Sequence, residues 1–349
     1  YALLPGLQRL PSGRTRTRSK PFPGSWARVR VGREFARALG PVPVACGNCE
    51  TDPKFTPIPD EGLMNPQVSV VLVDDNGMPD TLECLRSLSK QTYPHWFSVV
   101  VDNASAMDPC EEIRREHPGC DVIQLPANGV WSSGNNAGIR RCLKRHADFV
   151  VLLNNDTTLA PYLLERLVLI AQSSPQFGVI GPVIRGYSPR HAIQTEGFDF
   201  QRPDRPELIQ RLRVSSEERA VPATTEVDVV NGCCMMATMN VFRHVGLIDE
   251  RFFLVHEETD FCLRAKRAGF RCGVIGEALV WHKGSRPDVR DGRQWQRYDD
   301  ARNLLFRLTK HSARPFPNRT RFRSLMVYGK HADAPREQGI DTGHPATAD

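Results

Sequence analysis

Residues 148–157 read Asp-Phe-Val-Val-Leu-Leu-Asn-Asn-Asp-Thr, and this stretch constrains the fold more than any other in the chain. Five apolar residues, Phe149 to Leu153, run without a break and stop at a polar, acidic cluster. So short a continuous run suits a strand buried on both faces, as in a parallel sheet covered by helices. Its carboxyl end then delivers Asn154, Asn155 and Asp156 to the sheet edge where open α/β folds bind ligands. Several oxygen-bearing side chains at such a point suit a hard cation beside a phosphate. A plain turn is the competing reading, because Asn and Asp favour turns with no ligand at all.

Similar units recur upstream. Val68–Val73 is a second short apolar strand and ends in Asp74-Asp75-Asn76-Gly77. Leu82, Leu85 and Leu88 follow at helical spacing, with Asp80 placed to cap that helix. Phe97–Val101 closes on Asp102-Asn103-Ala104-Ser105, and Val122–Leu125 is a shorter strand. Between Asn128 and Gly138 the small residues Gly134, Asn135 and Asn136 are read as opening a helix at Ile139, where exposed N–H groups suit a diphosphate. A further helix is expected from Pro161, carrying Leu163, Leu164, Leu167 and Ile170. Alternation of strand and helix over about a hundred residues predicts an α/β fold, a mostly parallel sheet with helices on both faces.

Downstream, residues 185–222 are polar, with many Arg and Pro and no clear period, and are read as an insertion on the acceptor side. Strand character resumes at Val227–Val230, and a short helix is expected around Val241 to Leu247. A second acidic cluster, His256-Glu257-Glu258-Thr259-Asp260, opens an amphipathic helix that ends at Gly269. Acids favour the first turn of any helix, and Asp260 with Arg264 makes an i,i+4 pair, which accounts for one or two of the carboxylates but not readily for three. Cys272–Val280 leads to Trp281-His282-Lys283-Gly284-Ser285, and Tyr298–Leu308 forms a last amphipathic helix with Arg302-Asn303.

Charge is unevenly placed along the 349 residues, whose net formal charge is +6. Residues 1–40 hold nine Lys/Arg against Glu34 alone, so the rest of the chain is close to neutral. The basicity belongs to an arm. It suits peripheral contact with an anionic membrane surface, and equally a solvated, disordered lead-in; no nucleic-acid partner is expected. No apolar run reaches the ~18–20 residues needed to span a bilayer. The first residue is Tyr1 rather than Met, which leaves an upstream segment open. The ten cysteines are scattered, with one isolated Cys46-Gly-Asn-Cys49 pair; Cys84, Cys142, Cys262 and Cys272 read as small buried hydrophobes. Free thiols in this number fit a reducing, cytoplasmic location, peripheral at most on the inner face of the membrane. Three regions are expected: a basic extension over 1–65, a folded domain over 66–310 and a disordered tail over 311–349.

Taken in order, Val68–Gly77, Val101–Ser105, Gly134–Gly138, Leu152–Asp156, Asp249–Arg264, Trp281–Ser285 and Arg302-Asn303 resemble the family-2 glycosyltransferases, especially their rhamnosyltransferase-like branch with the GT-A fold. The resemblance covers about residues 68–310. It implies a single Rossmann-like sheet and an inverting transfer of sugar from a nucleotide-sugar donor to a glycan or glycolipid acceptor of the cell envelope. It further implies that Asn154-Asn155-Asp156 takes the place of the family's D-x-D motif. Asp156 then binds Mg2+ or Mn2+, His282 serves as a further metal ligand, and Asn154 meets a metal-bound water or the ribose. Glu258 falls at the base position, with Glu257 and Asp260 supporting it or positioning the acceptor. Asp74, Asn76 and Asp102 fall where the family contacts base and ribose, and Gly134 and Asn135 where it approaches the nucleotide. The chain departs from the family at Asp74-Asp75-Asn76-Gly77, where the branch usually reads Asn-Tyr-Asn-Gly, and at Val130-Trp131-Ser132-Ser133. It departs again at Glu258, which stands where Asp is commoner. dTDP-rhamnose is the favoured donor, with UDP-sugars next.

Rival classes fit less well. A dinucleotide oxidoreductase needs G-x-G-x-x-G directly after the first strand, and Val73 is followed by Asp74-Asp75-Asn76-Gly77-Met78-Pro79. A sugar-nucleotide pyrophosphorylase needs a Gly-rich, basic loop there, which is also missing. A non-catalytic nucleotide-sugar or glycan-binding relative is the runner-up.

Overall fold

The computed structural model describes residues 65–188, 190, 192–200, 210–212, 223–252, 255–284 and 292–311. The basic arm, the Cys46/Cys49 pair, Ser285 and the tail from 312 lie outside these residues.

Four strands form the first half of the sheet: β1 (Val68–Asp74), β2 (Trp96–Asp102), β3 (Asp121–Gln124) and β4 (Phe149–Asn154). They run parallel in the order β3-β2-β1-β4. The order reverses between β1 and β4, which makes a crevice at their carboxyl ends. Register sets what lines it, since Asp74 lies opposite Asp102 and Val73 opposite Asn154.

The connecting helices are α1 (Met78–Leu88), α2 (Cys110–Glu116) and α3 (Val130–Lys144), followed by α4 (Leu163–Ser173). Pleating of β1 sends Val68, Val70 and Leu72 into one layer with Leu82, Leu85 and Leu88 of α1 and Leu163, Leu164 and Leu167 of α4. Val71, Val150 and Leu152 enter the opposite layer with Ile139 and Cys142 of α3. Each fully buried leucine is worth about 1.5–3 kcal/mol relative to exposure, so these stripes hold the helices to both faces. Two helix starts differ from the sequence expectation. Gly77, not Asp80, precedes α1, with no side-chain cap, and Tyr162 rather than Pro161 precedes α4.

The larger correction concerns α3. It begins at Val130, nine residues before Ile139, so Gly134, Asn135 and Asn136 are interior and buried. Gly134 is there for packing: a Cβ on it would lie 2.7 Å from Val73 Cγ1, and one on Gly138 would collide with Val71 Cγ1. Gly138→Ala is therefore expected to lose about 1–3 kcal/mol, the range for overpacking a tight core. Urea denaturation measures it, and an unchanged midpoint would refute the close approach of α3 to β1.

The second half of the sheet is mixed. β11 (Cys234–Thr238) runs antiparallel between β4 and β6 (Phe177–Gly186). β12 (Arg271–His282) runs parallel to β6, and β10 (Thr224–Val227) closes the edge antiparallel. Six of the eight strands in this path point one way, so the sheet is mostly parallel as expected. β6 was not foreseen, and the stretch from 185, read as an aperiodic insertion, contains the end of β6, β7 (Ile193–Thr195), β8 (Phe198–Phe200) and β9 (Gln210–Leu212). Pro182 sits in the middle of β6 and has no N–H to give. Opposite it β12 bulges: Ile275 pairs with Pro182 but Leu279 with Val183. The bulged residues are tied down by Gly276 N–H to the Ala223 carbonyl and by an Arg166–Glu277 ion pair at 3.3 Å. Beyond the bulge, β12 pairs with β5 (Thr157–Leu159) as well as β6, and His282 lies opposite Thr157.

Two more helices, α5 (Met239–Val245) and α6 (Glu257–Arg267), pack on the α3 face through Val241, Phe242, Phe261 and Ala265. α7 (Gly292–His311) is longer at both ends than the expected Tyr298–Leu308.

Candidate active site

The carboxyl ends of β1 and β2 form a hydrogen-bonded floor. Asp74 is fully buried, and its carboxylate accepts from Thr81 Oγ1, from Ser105 Oγ at 3.2 Å and from Asn155 Nδ2 at 3.2 Å. Asn155 thus faces the floor and not the crevice. It is packed so closely that a Cβ on Gly77 would lie 2.6 Å from its Nδ2, which explains the glycine. Asn76 adopts a left-handed backbone (φ 54°) and ties β1 to the β2 loop, through its N–H to Ser105 Oγ and its Oδ1 to the Ala106 N–H. Asp102 is also fully buried, accepting from the Ser105 N–H at 3.0 Å and Gln124 Nε2 at 3.3 Å. Asp74 and Asp102 therefore shape the rim of the crevice, and their neighbours Asp75 and Asn76 are exposed there.

Asp102 also lies near Asp108 and Cys110, the one group of three potential metal donors this close together among the described residues. The geometry argues for a hydrogen-bonded cluster instead. Burial, with Asp108 beside it, pushes the Cys110 thiol up to about 12, and Cys110 N–H donates to Asp108 Oδ1 at 2.8 Å.

The turn after β4 supplies the acid. Asp156 Oδ1 lies 3.2 Å from His282 Nε2, both side chains mostly buried. The paired end strands β5 and β12 create this meeting, and the Lys283 N–H to the Asp156 carbonyl secures it. Gln194 of β7 then decides the ring's state. Its Nε2 donates to the His282 carbonyl at 3.0 Å, so its Oε1 must face His282 Nδ1, also at 3.0 Å. Nδ1 therefore carries the proton, and the Nε2 lone pair of a neutral ring points at a carboxylate oxygen. Two acceptors face each other there, a contact that a cation between them would relieve. These residues fit a divalent ion held by one carboxylate and one imidazole, with positions left for substrate oxygens. Next to this pair, Lys283 Nζ donates to Asp80 at 2.6 Å and to Glu83 at 2.5 Å. Burial opposes its charge, but the two carboxylates outweigh that and hold its pKa above the usual lysine range. Asp80, expected as a helix cap, is instead half of this clamp.

The acids of α6 divide into different environments. Two consecutive left-handed residues, Val255 (φ 64°) and His256 (φ 71°), turn the chain into the helix. Such backbone costs about 1–3 kcal/mol per residue and persists only where its surroundings hold it. Asn303 of α7 does so: it is fully buried, its Nδ2 donates to the Val255 carbonyl at 2.9 Å, and Arg302 donates to its Oδ1. Glu258 is half-buried, and burial pushes its carboxyl pKa above the ordinary glutamate range. Asp260 is sealed. Arg264, Lys310 and His311 all bond its carboxylate, at 2.8, 2.6 and 2.6 Å. Burial raises its pKa, but these partners outweigh it and the net shift is downward. Asp260 cannot touch an acceptor; it anchors the end of α7 to α6. Glu257 is buried beside the base position.

Trp131, in the first turn of α3, connects the two acidic centres. Its indole Nε1–H donates to Asn154 Oδ1 at 3.2 Å. A Cβ on Gly232 would lie 3.2 Å from Trp131 Cζ2 and 3.5 Å from Glu258 Cβ, so the indole and Glu258 converge there. Asn135, expected beside the nucleotide, is buried and donates from Nδ2 to the Trp131 carbonyl at 2.8 Å. Sequence reasoning missed the roles of Trp131 and Gln194. The only signal for Trp131 was its place as a departure in an otherwise recognisable motif.

Known proteins share the family and the fold of this chain. The family described as Glycosyl transferase family 2 matches residues 69–246, just over half of the chain. A Haloferax volcanii protein, low-salt glycan biosynthesis hexosyltransferase Agl10, is 30% identical over 215 residues, which are 59% of this chain and 64% of that protein. The chain thus spans a little under two thirds of that relative. The Mycobacterium tuberculosis N-acetylglucosaminyl-diphospho-decaprenol L-rhamnosyltransferase is 22% identical, covering 71% of this chain and 86% of its own length. Among solved structures, the mannosyltransferase PcManGT from Pyrobaculum calidifontis, in complex with GDP-Man and Mn2+, superposes with a TM-score of 0.51 at 16% identity, covering 76% and 69% of the two chains. GalNAc-T7 with UDP, GalNAc and Mn2+ gives 0.51 at 15% identity, covering 77% and 55%. At these identities the likeness is one of fold, the GT-A fold. With the parallel β3-β2-β1-β4 order and the ordered motifs along it, the family match shows that this chain is a glycosyltransferase belonging to family 2.

Proposed function

We propose that the chain moves a sugar from a nucleotide-sugar donor to a hydroxyl of a cell-envelope glycan or glycolipid, with inversion and in a single displacement. The observation that carries this reading is the pairing of Asp156 with His282 at the end of β4, linked through Asn154 and Trp131 to a half-buried carboxylate, Glu258. The acceptor oxygen forms a bond to the anomeric carbon while its proton passes to Glu258. The bond from that carbon to the phosphate oxygen breaks, and its electron pair leaves with the nucleoside diphosphate. Glu258 suits the role because burial raises its proton affinity while half-exposure keeps it reachable. Asp156 and His282 would hold Mg2+ or Mn2+, which when bound supplies neutralisation of the charge on the departing diphosphate. Asp75, Asn76 and the rim shaped by Asp74 and Asp102 would receive base and ribose. Gly134 and Asn135 act one step back, by seating α3.

Donor and acceptor follow from the relatives only as a proposal: dTDP-rhamnose first, a UDP-hexose second, and a lipid-linked or polymeric glycan as acceptor. No helix among the described residues is long and apolar enough to cross a membrane. The nine Lys/Arg of residues 1–40 would give the enzyme an electrostatic contact with an anionic, lipid-bearing surface. A thermal-shift screen of dTDP-, UDP- and GDP-sugars with and without Mn2+ tests the reading. One donor at a hundredfold excess over its Kd should add about 2.7 kcal/mol, a shift of several degrees, and only with the metal present. No shift with any of them would sink it.

A further inference from the structure

We infer that Trp131 is a positioning residue that turns the first member of the Asn154-Asn155-Asp156 motif into a hydrogen-bond donor toward an anionic or hydroxyl oxygen of the donor nucleotide. This rests on the proposed use of a nucleotide sugar. The argument begins with what an indole can do. Its Nε1–H donates and never accepts, so the Asn154 amide must turn Oδ1 toward it, as the 3.2 Å contact shows. The Nδ2 group is then directed away from Trp131 and has no protein partner among the described residues.

The backbone of Asn154 is held on both sides. Its N–H donates to the Cys233 carbonyl at 2.8 Å, and its own carbonyl accepts from Thr157 Oγ1 at 2.7 Å. Trp131 is fixed as firmly. Asn135 Nδ2 holds its carbonyl, the neighbouring Ser132 Oγ donates to the Phe252 carbonyl at 2.9 Å, and its ring lies against Gly232, where any side chain would crowd it. Asn154 therefore offers two N–H groups at a point next to Asp156. A carboxylate in its place could also accept from the indole, but it would present a second negative charge to an approaching diphosphate. Here one carboxylate, Asp156, stays beside the cation position, and the adjacent group attracts the phosphate or ribose oxygen. Asn at position 154 and Trp at position 131 are thus a matched pair.

Isothermal titration of UDP, GDP and dTDP, each with Mn2+, tests this in the wild type and in Trp131→Phe, Asn154→Asp, Asn154→Ala and the double variant Trp131→Phe/Asn154→Ala. Asn154→Asp should weaken the bound nucleoside diphosphate by about tenfold, the scale of a lost charge-assisted hydrogen bond. Trp131→Phe keeps a ring against Gly232 and should lose about threefold, within the range of a neutral hydrogen bond. In the Asn154→Ala background, Trp131→Phe should add nothing; additive losses would overturn the inference. Parallel titration with the nucleosides separates the two oxygens. Losses confined to the diphosphates assign a phosphate oxygen, and losses shared by the nucleosides assign the ribose. The pair is also readable without ligand. The Trp131 indole 15N–1H resonance, identified by its disappearance in Trp131→Phe, should shift in Asn154→Ala, and an unmoved resonance overturns the inference outright. Wild-type protein that binds none of the three diphosphates would instead remove the transfer reading, and this inference with it, even where the indole resonance shifts.

Discussion

Glu258→Gln is expected to remove sugar transfer while leaving donor binding nearly intact. Glutamine keeps the size and the polar end of the side chain but cannot take a proton from the acceptor hydroxyl. A positioned general base contributes about 10²–10⁴-fold, so turnover should fall by at least two orders of magnitude. The affinity for the nucleotide should change little, because Glu258 faces the indole side of the crevice and not the Asp156–His282 pair. Stability should move the other way. Burial raises the Glu258 pKa, so the folded state binds this proton more tightly than the unfolded chain does. The stability linked to that proton is present below the unfolded pKa and is lost as pH rises through the folded value. An uncharged glutamine escapes that loss, and the variant should melt at or above the wild-type temperature near neutral pH. In the wild type, transfer should rise with pH across the raised pKa as the base ionises. Full retained turnover in Glu258→Gln would place the base elsewhere.

Asp156→Ala should have the second largest effect, and on a different quantity. The alanine leaves His282 oriented by Gln194 but without the carboxylate it faces. Metal-dependent affinity for the nucleotide sugar should collapse, since a lone imidazole is a poor site for Mg2+ or Mn2+, which prefer carboxylate oxygen. Titration calorimetry with and without Mn2+ reads this directly. Equal affinities for wild type and variant in the presence of Mn2+ would remove Asp156 from the metal. The protein should still fold, because the turn is also held by backbone bonds such as Lys283 N–H to the carbonyl of residue 156.

The parts of the fold that were legible are those where one local rule acts alone. β1, β2 and β4 are buried on both faces, so each appears as a short apolar run ending in polar residues, interrupted only by Ser69 in β1 and Ser98 in β2. β6 is as deeply buried but carries Gly178, Gly181 and Pro182, which read as loop; only the bulge in the partner strand makes that proline tolerable. The start of α3 was misplaced for a related reason. Gly129 precedes it with no side-chain cap, and Val130 has φ 51°, so none of the usual starting residues marks the spot. Within the site, Asp156, His282 and Glu258 stand out by residue type. Gln194 does not, because its role is a contact across 88 positions made from a stretch with no periodicity. Asp260 shows the opposite failure. In sequence it is one of three adjacent acids, and only packing reveals that Lys310 and His311, fifty residues on, have claimed it.

The bulge in β12 works as a counting device. Three residues, Gly276, Glu277 and Ala278, fall between Ile275 and Leu279 while β6 advances by one. Side chains alternate in facing along a strand, so the number of residues in that interval sets the parity of everything after it. As built, the count turns His282 toward Asp156 and Gln194, and Lys283 toward Asp80 and Glu83. Removing one residue would bring Lys283 to the register place of His282, aiming an ammonium at the cation position, and adding one would bring His282 to the place of Lys283, facing the α1 carboxylates. The half of β12 before the bulge belongs to the body of the sheet and the half after it to the chemistry. Drift in one is kept from reaching the other by bulge residues pinned at Arg166 of α4 and at the Ala223 carbonyl.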